Sequence, residues 1–167
     1  MNYHDIKKCD LLNGDGRRVS LWVSGCEHNC SQCQNPQTWN VEGGIQFDED
    51  AEKELFEALE KPYVSGVTFS GGDPLHKNNI QDILNLVNKI RILFPDKAIW
   101  LYTGFTWEQC LEDEEKYRIV EQCDVMVDGR YIDELRDVSL KWRGSSNQRV
   151  IDIKQSIRNG QIRLYTQ

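Results

Sequence analysis

Strand-like and helical segments alternate along this chain of 167 residues, and the alternation limits the folds that it can adopt. Short apolar runs bounded by turn residues predict buried strands, and apolar residues at a spacing of three or four predict helices. Alternating strands and helices are typical of a parallel sheet with right-handed crossovers. The predicted strands are residues 19–24, 64–70, 98–102, 124–127 and 148–153, and the predicted helices are residues 50–60, 79–94 and 107–122.

Polar or glycine-rich motifs follow four of these strands. They are the cysteine loop that begins at Cys26, the turn at 71–74, Thr103-Gly104 and Asp128-Gly129. Ligands of parallel α/β folds bind at the carboxyl ends of the strands, so four such motifs describe one site. We expect an α/β fold of about five to six parallel strands with outer helices, which is too few strands for a closed TIM barrel and predicts an incomplete one.

The length of the chain fits a single domain. A complete eight-stranded barrel takes about 250 residues, well above the 167 available here. We expect the core to cover residues 15–153, followed by a C-terminal tail at 154–167 that forms a short strand or a loose end. The net charge of −7 argues against non-specific binding to nucleic acid, which needs cations to neutralise phosphates.

The sequence shows no membrane or secretory segment. No apolar stretch approaches the roughly 20 residues of a membrane helix, and the first residues lack the basic and apolar regions of a signal peptide. Six cysteines without a secretory signal indicate a reducing compartment, where clustered cysteines are more often metal ligands than disulfides. We therefore expect a cytoplasmic protein.

Three cysteines stand in one short loop, with the spacing C-x-x-x-C-x-x-C at Cys26, Cys30 and Cys33. Iron–sulfur clusters are normally held by four cysteines. A loop that supplies only three thiolates would leave one iron of a four-iron cluster without a protein ligand and free to bind a small molecule. The spacing therefore predicts an open-site cluster.

A zinc site is the alternative interpretation of the cysteine loop, with His28, His4 or Cys9 as the fourth ligand. Zinc sites usually pair two C-x-x-C elements or add a downstream histidine pair. The chain has three histidines and no second C-x-x-C element, which disfavours zinc. The remaining cysteines are most simply free thiols, because cysteine is often a small buried hydrophobic residue; they are Cys9, Cys110 and Cys123.

Three further segments have both a functional and a plain structural interpretation. The two glycines of the turn at 71–74 let the backbone approach a ligand, whose ammonium group an exposed carbonyl and Asp73 would attract, although such turns are often only turns. The segment 13–17 reads best as a hairpin turn. The loop 142–149 offers groups that hydrogen-bond a ribose or a carboxylate, and a solvated turn explains it equally well.

With these residues in hand, the chain resembles the activating proteins of anaerobic (class III) ribonucleoside-triphosphate reductases, which belong to the radical S-adenosylmethionine (SAM) superfamily. The cysteine loop and the glycine turn together match the two superfamily motifs. The run at 142–148 separates this family from other radical SAM activases. The resemblance covers almost the whole chain, through residues 1–3, 13–14, 23–26, Cys30, Cys33, 70–75, 99–104, 127–129 and 142–148.

The resemblance implies a single radical SAM domain with one 4Fe-4S cluster and SAM as cofactors. The metal ligands would be Cys26, Cys30 and Cys33. Two positions differ from the usual pattern: Gln34 stands where an aromatic residue normally lies against the adenine, and Asp15 stands where proline is usual. The implied SAM-binding residues are Gln32, Cys33, Gln34, Gly71, Gly72, Asp73, Thr103, Asp128 and Arg149.

The implied activity is an oxidoreductase reaction. SAM is cleaved reductively at the cluster, and a hydrogen atom is removed from a backbone glycine of the reductase, which leaves a glycyl radical. The implied partners are the large subunit of the reductase, a reduced flavodoxin-like electron donor and a second copy of the chain. The alternatives are an activase of another glycyl radical enzyme of the pyruvate formate-lyase type, a small radical SAM enzyme acting on a free metabolite, and a zinc-binding module without catalysis.

Overall fold

A seven-stranded sheet forms the centre of this computed structural model, which describes residues 1–166. One-turn 3-10 helices occur at Pro36–Thr38 and Asp133–Leu135. The strands are β1 (Asn2–Asp10), β2 (Arg18–Val23), β3 (Ile45–Gln46), β4 (Gly66–Gly71), β5 (Ala98–Tyr102), β6 (Val125–Asp128) and β7 (Arg149–Asp152), and the α-helices are α1 (Glu49–Leu59), α2 (Ile80–Leu93), α3 (Trp107–Glu112), α4 (Glu114–Val120) and α5 (Ile153–Asn159).

The order of strands across the sheet is β3-β1-β2-β4-β5-β6-β7. Strands β2, β4, β5 and β6 are parallel to one another, and their side chains are buried on both faces almost throughout. Strands with two covered faces read as continuous apolar runs, which is why the sequence indicated them clearly. The expected α/β class is therefore confirmed.

The last predicted strand was expected to run parallel to the others, but it runs antiparallel to its neighbour. Strand β7 pairs with β6 in antiparallel fashion, from Val125 opposite Asp152 to Asp128 opposite Arg149. A parallel return needs a long crossover, usually a helix, that carries the chain back across the sheet. Residues 129–148 contain only a one-turn 3-10 helix, so β7 begins at the end of the sheet where β6 stops.

Helices α1 and α2 each bury an apolar face in the core. The sequence predicted these faces, except that in α2 it placed Leu84 where Leu86 is buried and Leu84 is only partly buried. In α1 the buried residues are Ala51, Leu55, Ala58 and Leu59. Asp48 caps this helix by accepting a hydrogen bond from the backbone N–H of Ala51 at 3.0 Å. The buried residues of α2 are Ile80, Ile83, Leu86, Val87 and Ile90.

The helix predicted at 107–122 is divided in two. Asp113 has an extended backbone, ends α3 and caps α4, where its carboxylate accepts from the backbone N–H of Lys116 at 3.1 Å. An aspartate followed by two acidic residues favours the start of a new helix. This preference interrupts the single helix that the sequence predicted.

Two elements at the ends of the chain were not expected. Strand β1 pairs with β2 as a hairpin around 11–17, which confirms a turn in that segment. Helix α5 replaces the first part of the predicted tail, and Leu164 forms an isolated antiparallel bridge to Ile151. Gln167, the last residue of that tail, lies outside the described residues. Across residues 1–166, none of the helices has the length and apolar character needed to cross a membrane.

Candidate cofactor site

A cavity of about 630 Å³ opens at the carboxyl ends of the parallel strands. Its volume lies within the range of about 300 to 1,000 Å³ that is usual for sites of small molecules and cofactors. All four polar motifs contribute to its wall, through the cysteine loop, residues 70–73, residues 102–104 and Gly129. The structure thus brings together the segments that the sequence placed on one edge.

The three loop cysteines all face this cavity and are partly exposed. Backbone hydrogen bonds hold their loop without regular secondary structure: the N–H of Gly25 donates to the carbonyl of Thr38 at 2.7 Å, and that of Cys26 donates to Trp39 at 3.1 Å. Asn29 and Gln32 have φ values of 49° and 56°, which turn the chain between the thiols. Backbone hydrogen bonds and these two positive φ values therefore define the shape of the loop.

The donor set fits an iron–sulfur cluster. Across residues 1–166, no three His, Cys, Asp or Glu side chains are grouped so that they could hold a single metal ion. A cluster makes a different demand, because each thiolate binds a separate iron. Burial raises the pKa of the Cys26 thiol to about 11, and metal ligation is what would keep such a thiol deprotonated.

The glycine turn after β4 is pressed against the cysteine loop. A Cβ atom on Gly72 would lie 2.5 Å from the carbonyl oxygen of Gly25, and one on Gly71, whose φ is +98°, would lie 2.7 Å from the nitrogen of Val23. The N–H of Asp73 donates to the Gly25 carbonyl at 2.7 Å. No side chain larger than hydrogen fits at either glycine, so their backbone forms part of the cavity wall.

Asp73 lines the cavity, but its carboxylate is buried and bonded to protein groups. It is 1% exposed and accepts from the Thr103 hydroxyl at 2.9 Å, the Gly104 N–H at 3.0 Å and the Leu75 N–H at 2.8 Å. The imidazole Nε2 of His28, in the cysteine loop, lies 2.6 Å from the same carboxylate. The polar groups of two predicted ligand residues, Asp73 and Thr103, therefore form hydrogen bonds mainly with each other and with neighbouring protein groups.

Three predicted SAM-binding residues do not line this cavity: Gln32, Asp128 and Arg149. Asp128 is buried and accepts from Arg149 at 2.6 Å and from the N–H of Trp107 at 2.8 Å. The hydrogen bond with Asp128, and to a smaller extent that with Glu108, raises the pKa of the Arg149 guanidinium. The predicted residues that do face the cavity are Cys26, Cys30, Cys33, Gln34, Gly71, Gly72, Asp73 and Thr103.

Residues 142–148 form part of the cavity wall, and their polar side chains are hydrogen-bonded mainly within the protein. The Gln148 amide accepts from the N–H of Gly144 at 3.0 Å and donates to the carbonyl of Gly129 at 3.0 Å. Asn147 donates to the carbonyl of Arg130 at 2.8 Å, and the Tyr102 hydroxyl donates to the carbonyl of Trp142 at 2.7 Å. The run folds the loop after β6 over the site.

Some wall residues were not among the predicted site residues. They come from strand ends and from the long loop, and a side chain's position in the pleat decides which of them face inward. They include Asn13, Trp22, Tyr102, Val127, Arg130 and Tyr131.

Comparison with known proteins agrees with this site. A family model described as a 4Fe-4S single cluster domain matches residues 12–151, which includes the whole cysteine loop. The anaerobic ribonucleoside-triphosphate reductase-activating protein of Escherichia coli strain K12 is 42% identical over 150 residues, covering 89% of this chain and 96% of that protein.

Two further relatives carry the same name. The protein of enterobacteria phage T4 is 44% identical over 150 residues, with 90% of this chain and 93% of the relative covered. The protein of Vibrio cholerae is 39% identical over 150 residues, with 89% and 96% covered. Matches of this identity and extent show that the chain belongs to the family of anaerobic ribonucleoside-triphosphate reductase-activating proteins.

Proposed function

We propose that this protein activates an anaerobic ribonucleoside-triphosphate reductase, with a 4Fe-4S cluster on Cys26, Cys30 and Cys33 and with SAM bound beside it. One observation carries the proposal: the three thiols and the glycine turn line one cavity, and the turn donates a backbone hydrogen bond to Gly25, the residue directly before the cysteine loop. Three thiolates would leave one iron open, and the backbone of the turn, which lines the same cavity, would hold the polar end of a ligand beside it.

The residues of the chain then have distinct tasks. When bound, the cluster supplies the electron that cleaves SAM, and the chemistry that follows takes a hydrogen atom from a glycine of the reductase. Gly71 and Gly72 orient the amino acid part of SAM through their backbone, and Gln34 lies on the cavity wall where its amide is available to the adenine edge. Asp128 and Arg149 keep the neighbouring backbone in place.

We further propose that the sheet is the partial, TIM-like barrel of the radical SAM enzymes, within one domain. Strands β3 and β7 end the order of strands and are not neighbours of each other, which leaves a side open. A glycine in a protein loop needs such an opening. Exposed apolar side chains at the mouth support the entry of a protein segment, since Leu12 is 73% and Val138 is 84% exposed.

The remaining parts of the proposal rest on family membership. They are the large subunit of the reductase as substrate, a reduced flavodoxin-like electron donor, a homodimer and a cytoplasmic location. All six cysteines are free thiols in the structure, and that state suits a reducing compartment.

Electron paramagnetic resonance (EPR) tests the proposal directly. The anaerobically reconstituted and reduced protein is mixed with SAM and an anaerobic ribonucleotide reductase. We expect a glycyl doublet in the spectrum that disappears when this protein, SAM or the reductase is left out. Cleavage of SAM without a doublet would contradict the reductase as the substrate and direct the search to another glycyl radical enzyme or a metabolite. A colourless protein with one zinc per chain would contradict the cluster itself.

A further inference from the structure

His28 joins the two halves of the site. It stands between Cys26 and Cys30 in the cysteine loop, and its Nε2 lies 2.6 Å from an oxygen of Asp73 in the glycine turn. The His28 side chain is 10% exposed and that of Asp73 is 1% exposed, so water competes little for this contact. A hydrogen bond to a buried carboxylate is among the stronger ones in proteins.

The imidazole occupies a space that is shaped for it. Its ring meets that of Phe105 edge-on, with centroids 4.6 Å apart, and a Cβ atom on Gly104 would lie 2.4 Å from the His28 ring. Arg130 donates to the carbonyl of His28 at 2.5 Å and holds the backbone of the same residue. Glycine at position 104 is therefore what allows the ring to reach Asp73.

Asp73 connects the imidazole to the rigid part of the fold. Its carboxylate also accepts from the hydroxyl of Thr103 and the N–H of Gly104, which directly follow β5. The cysteine loop has no regular secondary structure of its own, and this side-chain bridge anchors its middle to the ends of β4 and β5. The bridge spans the 45 residues that separate the two motifs.

We propose that His28 is a positioning residue, whose hydrogen bond to Asp73 sets the cysteine loop at the distance and angle from the glycine turn at which one ligand can bridge the open iron and the turn. The inference rests on the proposed function. The cysteines alone hold the cluster, and the bridge aligns it with SAM. Removing the bridge is therefore expected to leave the cluster in place while weakening the binding of SAM.

A matched pair of variants separates the hydrogen bond from the packing. His28→Phe keeps a ring against Phe105 but cannot donate, whereas His28→Gln places an amide N–H near the position of Nε2. His4→Phe, on the exposed side of β1, is the control. Iron content, the change that SAM causes in the EPR spectrum of the reduced cluster, and the dissociation constant for SAM are measured without any reductase.

We expect full iron content in all three variants. SAM should bind about tenfold more weakly to His28→Phe, because a hydrogen bond to a charged group is lost, and its affinity should recover partly in His28→Gln. In the metal-free protein, hydrogen exchange at the Gly104 amide should speed up in His28→Phe, since the carboxylate that it donates to is no longer held. Gly104→Ala, which displaces the ring without removing it, should weaken SAM binding in the same way.

A double-mutant cycle with Asp73→Asn tests the bridge as a unit. If His28 acts through Asp73, the double variant binds SAM no more weakly than the weaker single variant. Unchanged SAM affinity in His28→Phe, or fully additive effects in the double variant, would overturn the inference. A wild-type protein without a cluster or without any response to SAM would instead overturn the proposed function, and the two failures are therefore distinguishable.

Discussion

Asp73 and Asp128 make an instructive pair. Asp73 follows β4 and Asp128 is the last residue of β6, so both lie at the same edge of the sheet, and both are 1% exposed. Asp73 faces the cavity and binds His28 and Thr103, whereas Asp128 faces α3 and binds the N–H of Trp107 and Arg149. Similar motifs at one edge of a sheet thus have different tasks.

The pleat of the strand explains the difference. Asp128 is the last residue of β6, and Val127 before it and Gly129 after it both line the cavity. Successive side chains of a strand point to opposite faces, so Asp128 is directed to the helix side. Asp73 lies beyond the end of β4, where the turn through Gly71 and Gly72 has already left the pleat and brings the carboxylate back toward the cavity.

The largest expected effect is the loss of the cluster when a cysteine that lines the cavity is replaced. Cys30→Ala should abolish both iron retention and SAM cleavage, because two thiolates do not hold an open-site cluster. The exposed Cys9, which does not line the cavity, provides the control, and Cys9→Ser should retain wild-type iron content. Iron analysis after anaerobic reconstitution measures both. Normal SAM cleavage by Cys30→Ala would refute the assignment of the ligands.

Asp73→Asn should damage both the site and the fold. The amide cannot accept all the hydrogen bonds that the carboxylate receives, and unsatisfied buried donors cost about 1 to 3 kcal/mol of unfolding free energy. SAM affinity should fall about tenfold, as for a lost hydrogen bond to a charged group. Denaturant unfolding of the metal-free protein and titration with SAM give the two quantities. A variant that loses stability but binds SAM normally would place Asp73 in the same class as Asp128.

Asp128→Asn should affect the fold alone. Breaking a buried ion pair costs about 3 to 5 kcal/mol, and the cost is nearer to about 2 kcal/mol here because Arg149 is partly exposed and keeps Glu108 as a partner. SAM affinity should remain within about twofold of wild type, since sites without shared partners act independently. Denaturant unfolding and SAM titration again provide the measurement. A loss of SAM affinity comparable to that of Asp73→Asn would show that Asp128 faces the ligand after all.

The smallest effect concerns Glu108 at the edge of the same ion-pair network. The hydrogen bond from Arg149 lowers the pKa of Glu108 from its usual 4.5, so the ionised carboxylate stabilises the fold above that pH. This contribution is lost as the pH falls through the lowered pKa. Glu108→Gln should therefore be less stable than wild type by under about 1 kcal/mol near neutral pH, because the pair is exposed, and the difference should vanish in acid. Unfolding curves at several pH values measure how the stability difference between variant and wild type changes with pH. A difference that persists in acid would show that it comes from packing rather than from the ion pair.

Much of the fold was readable from local pattern. The central strands carry continuous apolar runs, and α1 and α2 bury apolar residues at helical spacing. Strand β1 was missed because its buried apolar residues, Tyr3 and Ile6, are three positions apart across an irregularity in the pairing, which breaks the period of two. Helix α5 is only seven residues long, although Asp152 caps its start and Gly160 adopts the left-handed conformation at its end.

The sequence by itself determined the alternation of elements, the three thiols in one loop, the need for glycine in the turn after β4 and the edge of the sheet at which these motifs meet. Those features depend on residue type and short spacing, which a few neighbouring positions encode. Only the tertiary structure decided that β7 runs antiparallel, that Asp128 turns away from the cavity and that His28 reaches Asp73. These outcomes depend on strand register and on contacts between residues far apart in the chain, which no local pattern specifies.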